Sequence, residues 1–369
     1  MKISKLIASG IFAFAMITGS ANAQTKIVFA SPFNPSQQTT PALQELFAEI
    51  NKETNGSVVW EPHWGSSLLA AKDIPTGVRD GISDAGSMVS AYVPSEMPIM
   101  SFVGNISMLN DDPLVLNGVV NELVQFHCEQ CTDEYNKLES LSLVNLAASE
   151  YYFQCKEPLK EMSDMAGKKI RGFSGWSDLI KEMNAVPVTV PYSETYEALS
   201  RGTIDCSLNT IGDQRALSLG EVAENIIMAP LGGYTGTSML AIRKEMWGKL
   251  SAEEKGIVLK NLPRALAGMI FAYLDVDAEV REEMEAKGNS FYEPNEDLMN
   301  YIEDFRLDYV KNRSVEIGRG DGIENPDEII STSVNLYDKW KKLLEENGRD
   351  RATYEKLLWD EIYSKVPAN

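Results

Sequence analysis

Histidine is nearly missing from this sequence. Only His63 and His127 occur among 369 residues. Histidine is the most frequent general base and the commonest metal ligand in proteins. A serine or cysteine triad therefore has little material, and no G-x-S-x-G motif presents a nucleophile. A carboxylate pair for glycoside hydrolysis is not excluded by composition, but nothing singles one out. We expect no catalytic residue, no cofactor and no enzymatic activity.

Basic residues are scarce relative to acidic ones. The chain has 34 Lys and Arg against 54 Asp and Glu, a formal net charge of -20. Such a chain is repelled by phosphate backbones and anionic membranes, so we expect no nucleic-acid or lipid partner. Solubility alone explains the charge equally well. An anionic ligand stays possible, because the local groups govern a pocket.

Long apolar runs are missing except near the N-terminus. A basic start at Met1–Lys5 precedes an apolar run, Leu6–Thr18, and the small-x-small site Ser20-Ala-Asn-Ala23. This is the pattern of a secretory signal, and the run is shorter than the ~20 residues that span a membrane. We expect residues 1–23 to be a signal peptide cleaved after Ala23. We also expect no later membrane span and a mature protein in the periplasm.

The chain has only four cysteines: Cys128, Cys131, Cys155 and Cys206. In an oxidising compartment an even number indicates one or two disulfides, with three possible pairings. Zinc binding or a thioredoxin-like redox pair at Cys128-Glu-Gln-Cys131 are the alternatives. Zinc would need two further ligands, and His127 is poorly spaced because it directly precedes Cys128. We expect no metal.

Short β-rich runs alternate with helical stretches in the first half of the mature chain and somewhat beyond it, which predicts an α/β fold with largely parallel sheets. Strands are predicted at Lys26–Ala30, Ser57–Trp60, Ser83–Val89, Leu141–Ala147, Lys169–Gly172, Val186–Val190 and Ile204–Leu208. Helices are predicted at Thr40–Glu53, Leu68–Val78, Ser177–Asn184 and Glu194–Arg201.

From Ser251 onward the pattern is almost wholly helical. Ser251-Ala-Glu-Glu254 is a capping box, which predicts the start of a helix that runs as far as Gly288 with a kink at Pro263. Further helices are predicted at Asp297–Ile317, Pro326–Asn347 and Arg351–Val366.

Three motifs follow one another in the middle of the chain. They are Pro158-Leu-Lys-Glu-Met-Ser-Asp-Met-Ala-Gly-Lys-Lys-Ile-Arg171, Ala185-Val-Pro-Val-Thr-Val-Pro191, and Ser193-Glu-Thr-Tyr-Glu-Ala-Leu-Ser-Arg-Gly202 with the following Thr203–Asn209. In order and spacing this resembles the DctP-type family of periplasmic solute-binding proteins of TRAP transporters. That family reads "D-L-K-G-K-K-I-R", "G-x-x-P-V" and "S-E-x-Y-x-A-L-x-x-G-x-x-D". The resemblance extends from about Lys26 to about Lys255.

The resemblance implies a two-lobed periplasmic-binding-protein-like α/β fold, with a ligand cleft between the lobes and a long helix spanning both. Lobe I would comprise residues 24–148 and 237–276, and lobe II residues 149–236 and 277–369. The implied function is capture of a small organic carboxylate for a TRAP-type secondary transporter, whose permease subunits are the partners of a monomer. The alternatives are an extracytoplasmic ligand sensor that signals to a receptor and a hydrolase with a carboxylate pair.

By the same resemblance, Arg171 at the end of the "K-I-R" motif holds the ligand carboxylate. A guanidinium matches both carboxylate oxygens and stays charged in a dry cleft. A polar contact is implied at Asn209 and an aromatic wall at Tyr192. Surface exposure of Arg171 and a simple turn at Asn209 are the alternatives.

The sequence departs from the family pattern where some members have a second arginine, because Tyr151 occupies that position. We expect instead an aromatic lining, of which about half touches the ligand. One arginine in an aromatic shell suits a monocarboxylate with an apolar or ring-bearing body. The candidate aromatic residues are Phe33, Tyr151, Phe173, Trp176, Tyr192 and Tyr234.

The same family frame predicts disulfide pairing. Cys155 precedes the arginine motif in one strand of lobe II, and Cys206 lies in the strand that carries Asn209. We therefore predict a Cys155–Cys206 bridge and a short Cys128–Cys131 bridge.

Overall fold

Two β-sheets, each covered by helices, form the architecture of this protein. The computed structural model describes residues 24–109 and 112–367. The predicted signal peptide, residues 1–23, and its cleavage site lie outside the described residues. The strands are β1 (Thr25–Ala30), β2 (Val58–His63), β3 (Ala85–Val89), β4 (Ser140–Leu146), β5 (Tyr152–Cys155), β6 (Lys169–Arg171), β7 (Val186–Val188), β8 (Cys206–Asn209), β9 (Asn225–Ile227), β10 (Thr237–Arg243) and β11 (Ser290–Tyr292).

The helices separate and follow these strands. They are α1 (Thr40–Glu53), α2 (Ile74–Arg79), α3 (Pro98–Val103), α4 (Pro113–Glu122), α5 (Glu129–Lys137), α6 (Met162–Met165), α7 (Gly175–Glu182), α8 (Thr195–Ser200), α9 (Asp213–Ala216), α10 (Lys244–Lys249), α11 (Ala252–Lys287), α12 (Glu296–Asp308), α13 (Ser314–Gly320), α14 (Pro326–Asn347) and α15 (Arg351–Glu361).

The first sheet has the strand order β2-β1-β3-β10-β4, and the second has the order β11-β9-β5-β8-β6-β7. We call the parts of the molecule built on them the first and the second lobe. The prediction of largely parallel sheets is confirmed, because all strands but one in each sheet run the same way. β10 runs antiparallel between β3 and β4, and β5 runs antiparallel between β8 and β9. Both sheets are therefore mixed, because each accepts a strand after the chain has crossed from the other lobe.

Most predicted elements are present, with ends shifted by a few residues. The predicted helix Leu68–Val78 is shorter than expected, since it consists of a 3-10 turn at Ala71–Asp73 followed by α2. The segment after Ser251 is not wholly helical, because β11 pairs in parallel with β9 and extends the second sheet.

Helix α11 contains 36 residues and begins at the predicted capping box, in which Ser251 and Glu254 satisfy each other's backbone N–H groups. It ends at Gly288, whose φ of 102° favours glycine. By length and composition α11 could cross a membrane, contrary to the sequence-based expectation. However, 67% of its most apolar window is buried within the protein, where it forms core.

The C-terminal helices pack against α4 of the first lobe. The indole of Trp340 in α14 is fully buried, and its Nε1 donates to Oε2 of Glu122 at 2.8 Å. The hydroxyl of Tyr354 in α15 donates to the carbonyl of Leu114 at 2.8 Å. The lobe boundaries stay a prediction, and for residues 326–365 these contacts favour the first lobe instead of the second.

Both predicted disulfides are confirmed. Cys155 faces Cys206 across the antiparallel pair β5 and β8, with a Cα–Cα distance of 4.1 Å. Cys128 and Cys131 are bridged over 5.2 Å between their Cα atoms. No thiolate is therefore left at Cys128 and Cys131 to bind zinc. Within residues 24–109 and 112–367, no cluster of three His, Cys, Asp or Glu side chains could hold a metal ion.

Candidate functional site

One edge of the second sheet collects the polar groups of the arginine motif. The parallel strands β6, β7 and β8 end at this edge, where the antiparallel β5 begins. In this register Arg171 lies opposite Ser207, and Tyr152 lies opposite Asn209. The carboxyl ends of parallel strands are the usual position of ligand sites in open α/β sheets.

Arg171 ends β6 and is almost completely buried, with 2% of its surface exposed. Its Nε donates to the carbonyl of Val190 and its Nη1 to the carbonyl of Leu208, both at 2.8 Å. Its Nη2 is 3.5 Å from the hydroxyl of Tyr92, longer than a normal hydrogen bond. No carboxylate forms an ion pair with Arg171 among the described residues. The fixed guanidinium thus has a buried charge and donors left over.

An aromatic group lies beside this guanidinium. The ring centroid of Phe173 is 5.2 Å from Cζ of Arg171. Phe173 packs edge-on against Trp176 at 5.2 Å and against Tyr234 at 4.8 Å. Tyr151 stacks on Trp176 at 4.8 Å. The rings thereby form one apolar wall. The guanidinium of Arg171 lies over the face of Phe173, which is the arrangement of a cation–π contact.

The wall is held from both lobes. Nε1 of Trp176 donates to the carbonyl of Leu231 at 3.0 Å. The hydroxyl of Tyr234 is 2.9 Å from Oγ of Ser90, at the end of β3 in the first lobe. Burial raises the pKa of Tyr234 to about 12, so its hydroxyl stays protonated at physiological pH. These rings are rigidly placed and uncharged.

A second group of polar side chains surrounds Asp213. The carboxylate is buried, and its Oδ1 accepts the hydroxyl proton of Tyr192 at 2.7 Å. Its Oδ2 accepts from Nδ2 of Asn209 at 2.9 Å and from the backbone N–H of Thr210 at 3.2 Å. Burial raises the pKa of Asp213 above its ordinary value. The hydrogen-bond donors and the charge of Arg171 oppose this shift only in part.

Side chains of the first lobe complete the site. Phe33, in the loop after β1, packs edge-on against Tyr192 with 5.8 Å between ring centroids. The hydroxyl of Tyr92, in the turn after β3, accepts the backbone N–H of Tyr192 at 2.9 Å. Nε2 of Gln38 donates to Oγ1 of Thr210 at 3.2 Å. The two lobes are therefore in direct contact around Arg171 and Asp213.

The structure thus brings all eight sequence-predicted site residues into one connected cluster, which we call the cleft cluster. Phe173, Trp176, Tyr151 and Tyr234 surround one side of Arg171, and Phe33, Tyr192 and Asn209 lie around Asp213. Two further members, Tyr92 and Asp213, were missed. Asp213 follows Asn209 by four residues, a spacing that places it after a strand end, whereas no motif marks Tyr92.

An open cavity of about 650 Å³ adjoins the cleft cluster between the lobes. Its walls include Ala91 and Phe102 of the first lobe, Phe173 and Asp178 of the second, and Tyr309 beyond α12. Phe173 is the shared member, and Arg171 does not line this cavity. The guanidinium is thus covered by residues of both lobes, and the cavity is a neighbouring space.

The family model for DctP, described as "Bacterial extracellular solute-binding protein, family 7", matches residues 29–311. Among curated proteins, the "Outer membrane transporter protein TsaT" of Comamonas testosteroni is 26% identical over 303 residues. That alignment covers 81% of this chain and 88% of the relative.

Solved structures of the same fold include a TRAP solute-binding protein of Rhodoferax ferrireducens T118 in complex with benzoate. Its TM-score is 0.75 at 19% identity, covering 86% of this chain and 99% of that one. A marine metagenome TRAP solute-binding protein of an unidentified microbe, in complex with pyroglutamate, has a TM-score of 0.74 at 15% identity, with coverage of 86% and 99%. At these identities the likeness establishes the two-lobed fold.

Proteins of this family are periplasmic, bind small molecules and work with the membrane permease subunits of TRAP transporters, and the family is not one of enzymes. The family match over most of the chain agrees with the two mixed sheets of the fold. It also agrees with the position of Arg171 at the end of its strand. This chain belongs to the DctP-type family of TRAP-transporter solute-binding proteins.

Proposed function

We propose that this protein captures a small organic monocarboxylate with a ring-bearing or apolar body, and that Arg171 binds its carboxylate. The observation that carries the proposal is the buried guanidinium, which has no ion-pair partner among the described residues. A buried charge without a carboxylate at ion-pair distance is costly, and it is tolerated where a ligand supplies the opposite charge.

The orientation of Arg171 supports this role. Two backbone carbonyls hold Nε and Nη1, so the side chain has little rotational freedom to lose when a ligand binds. An arginine has five N–H donors, of which two donate to backbone carbonyls and a third faces the Tyr92 hydroxyl at 3.5 Å. The remaining donors, one on each terminal nitrogen, suit the two oxygens of a carboxylate.

The aromatic wall supports a ring or apolar body for the ligand. Phe173, Trp176 and Tyr151 offer flat apolar surfaces within 5.2 Å of one another or of the guanidinium. Offset stacking on such faces favours planar rings. The benzoate and pyroglutamate held by proteins of the same fold are ring-bearing carboxylates, which is consistent with this proposal.

We propose roles for Asn209 and Tyr192 that differ from those that the family motif implies. Both direct a hydrogen atom at Asp213, so neither of those donors is left for the ligand. We propose that Tyr192 presents its ring and oxygen lone pairs, and that Asn209 fixes the loop after β8. Export with removal of residues 1–23 and delivery to a permease complete the proposal.

The experiment uses full-length protein exported with its own leader, purified, and titrated calorimetrically with benzoate, 3-hydroxybenzoate, mandelate, pyroglutamate and D-glucuronate. We expect the ring-bearing monocarboxylates to bind more tightly than the hydroxylated sugar acid. A ligand at 100 times its dissociation constant adds about 2.7 kcal/mol to stability, so thermal shift gives an independent reading. Mass spectrometry of the recovered ligand should find it unchanged, and turnover would indicate an enzyme instead.

Arg171→Ala removes the charge and leaves the ligand carboxylate unpaired, which costs about 2–5 kcal/mol. The expected loss of affinity is therefore about 30- to several-thousand-fold. Arg171→Lys keeps the charge but loses the fork, and its affinity should lie between the two. Arg201→Ala is the control, because Arg201 pairs with Glu197 on the surface of α8. Wild-type affinity in a folded Arg171→Ala protein would exclude Arg171 as the carboxylate ligand.

A further inference from the structure

Tyr92 reaches from the first lobe into the site of Arg171, although no sequence motif marks it. It ends the short 3-10 turn Ser90–Tyr92 that follows β3. This turn is firmly anchored. The backbone N–H and Oγ of Ser90 both donate to the carbonyl of Gly236, at 3.1 and 2.9 Å, and Oγ of Ser101 donates to the carbonyl of Ser90 at 3.0 Å. The position of the Tyr92 hydroxyl is therefore set by the first lobe.

Among the described residues, only hydrogen-bond donors approach the hydroxyl of Tyr92. Its oxygen accepts the backbone N–H of Tyr192 at 2.9 Å and faces Nη2 of Arg171 at 3.5 Å. Both groups belong to the second lobe, and both are donors. A phenol has one proton to give, and no acceptor for it is present in the part of the chain that the structure describes. Among the described residues the proton of Tyr92 thus has no protein acceptor, at a point next to the guanidinium.

An anion bound at Arg171 would supply that partner. A carboxylate has about four lone-pair sites on its two oxygens, so Nη2 can occupy one while a phenolic O–H occupies another. The 3.5 Å gap between Nη2 and the phenol oxygen is too long for a good hydrogen bond, and both groups would gain from a shared acceptor. The two side chains come from different lobes, so one carboxylate would join them.

We propose that Tyr92 is a second carboxylate-binding residue, whose O–H donates to the carboxylate held by Arg171 and so makes closure of the two lobes dependent on the ligand. This rests on the proposed function of Arg171. A ligand shifts a conformational equilibrium only by its differential affinity for the two states. Tyr92 provides such a difference, because its hydroxyl is beside Arg171 only when the lobes are together.

The test compares Tyr92→Phe with wild type, using benzoate and pyroglutamate as probes and full-length exported protein. The substitution keeps the ring and removes only the hydroxyl. A hydrogen bond to a charged group corresponds to about a 10- to 100-fold change in dissociation constant, which is the expected loss. The matched control is Tyr196→Phe, whose hydroxyl contacts Glu221 at 3.4 Å on the surface, and which should stay within twofold of wild type.

A crystal structure with bound benzoate separates direct contact from support of Tyr192. We expect a carboxylate oxygen at normal hydrogen-bond distance from both the Tyr92 hydroxyl and Nη2 of Arg171. Wild-type affinity in Tyr92→Phe, or a carboxylate beyond reach of that hydroxyl, together with lost affinity in Arg171→Ala, would overturn this inference and leave the proposed function intact. Failure of wild type to bind either probe or any carboxylate of the panel would overturn both.

Discussion

The carboxylate of Asp213 and the hydroxyl of Tyr192 are joined by a hydrogen bond of 2.7 Å inside the cleft cluster. The same carboxylate also holds the side chain of Asn209 and the backbone N–H of Thr210. One buried acid therefore orders two residues that the family motif implies as ligand contacts. We therefore expect Asp213 to act as a positioning residue, whose loss would disturb the site through Tyr192 and Asn209.

Asp213→Asn should destabilise the protein, although the two side chains have nearly the same size. An amide offers one acceptor oxygen where the carboxylate offers two. If that oxygen keeps the donors of Asn209 and Thr210, the NH₂ group faces Tyr192, and the hydroxyl proton of Tyr192 loses its acceptor. Leaving buried donors unpaired costs about 1–3 kcal/mol, so urea unfolding should show a loss of that order. Asp80→Asn is the control, because Asp80 pairs with Arg79 on the exposed surface and should change little. Equal stability of both variants would contradict the positioning role.

The strand ends that carry this site were predicted from the sequence better than the hydrogen bonds between its side chains. Arg171 and the strand ends could be placed because the "K-I-R" motif and the following strands have regular spacing and clear β-propensity. Asp213 and Tyr92 could not, since their importance depends on pairing across lobes that lie far apart in the chain. Hydrogen bonds between residues 92 and 192 leave no periodic signal in the sequence.

The single reversed strand in each sheet was not predicted from the sequence. Alternating strands and helices favour parallel sheets when each strand follows its neighbour. Here the chain crosses between lobes after β4 and returns in β10, which enters the first sheet antiparallel. Such crossings depend on packing of the whole chain, and local propensity does not report them. The C-terminal helices were placed as elements, but the helix they pack on was not predicted.

The two disulfides should differ in their contribution to stability. In the chain-entropy model the gain grows with the closed loop, and the sequence separations are 51 for Cys155–Cys206 and 3 for Cys128–Cys131. The model gives about 4 kcal/mol for the long loop and about 2 kcal/mol for the short one. Replacing both cysteines of each pair by alanine and comparing urea midpoints measures the difference. A greater loss from removal of the short bridge would contradict the entropic account.

The packing of α14 on α4 depends on Gly118, which lies in α4. A Cβ at this position would lie 2.1 Å from Cδ2 of the buried Trp340. Gly118→Ala should therefore push α14 away, at a cost of about 1–3 kcal/mol, which thermal unfolding can measure.

Gly256 provides the matched control for this substitution. It lies inside α11, where an added Cβ would meet nothing within 4 Å. Gly256→Ala should stabilise the protein by about 0.5–1 kcal/mol, because alanine loses less backbone entropy in a helix. A neutral Gly118→Ala would show that α14 is not tightly packed at this point.

Asp277 on α11 should make stability depend on pH. Its Oδ2 accepts the hydroxyl proton of Ser149 at 2.5 Å, and its Oδ1 accepts the backbone N–H of Gly212 at 2.6 Å. Burial raises the pKa of Asp277 from 3.8 to about 7, and the nearby charge of Asp213 raises it further, against the two donors. The folded protein therefore keeps a proton between pH 4 and 7 that the unfolded chain releases.

The sign follows from this difference in bound protons. Its contribution to the free energy of unfolding is fully present below about pH 4 and is lost as the pH rises through about 7. Each unit of pKa displacement corresponds to about 1.4 kcal/mol. Asp277→Asn resembles the protonated acid and does not titrate, so the variant should gain stability relative to wild type between pH 5 and 8. Urea unfolding at four pH values in this range measures the gain, with the exposed Asp275→Asn as control. If the curves of wild type and Asp277→Asn stay parallel over the range, Asp277 does not carry the proton.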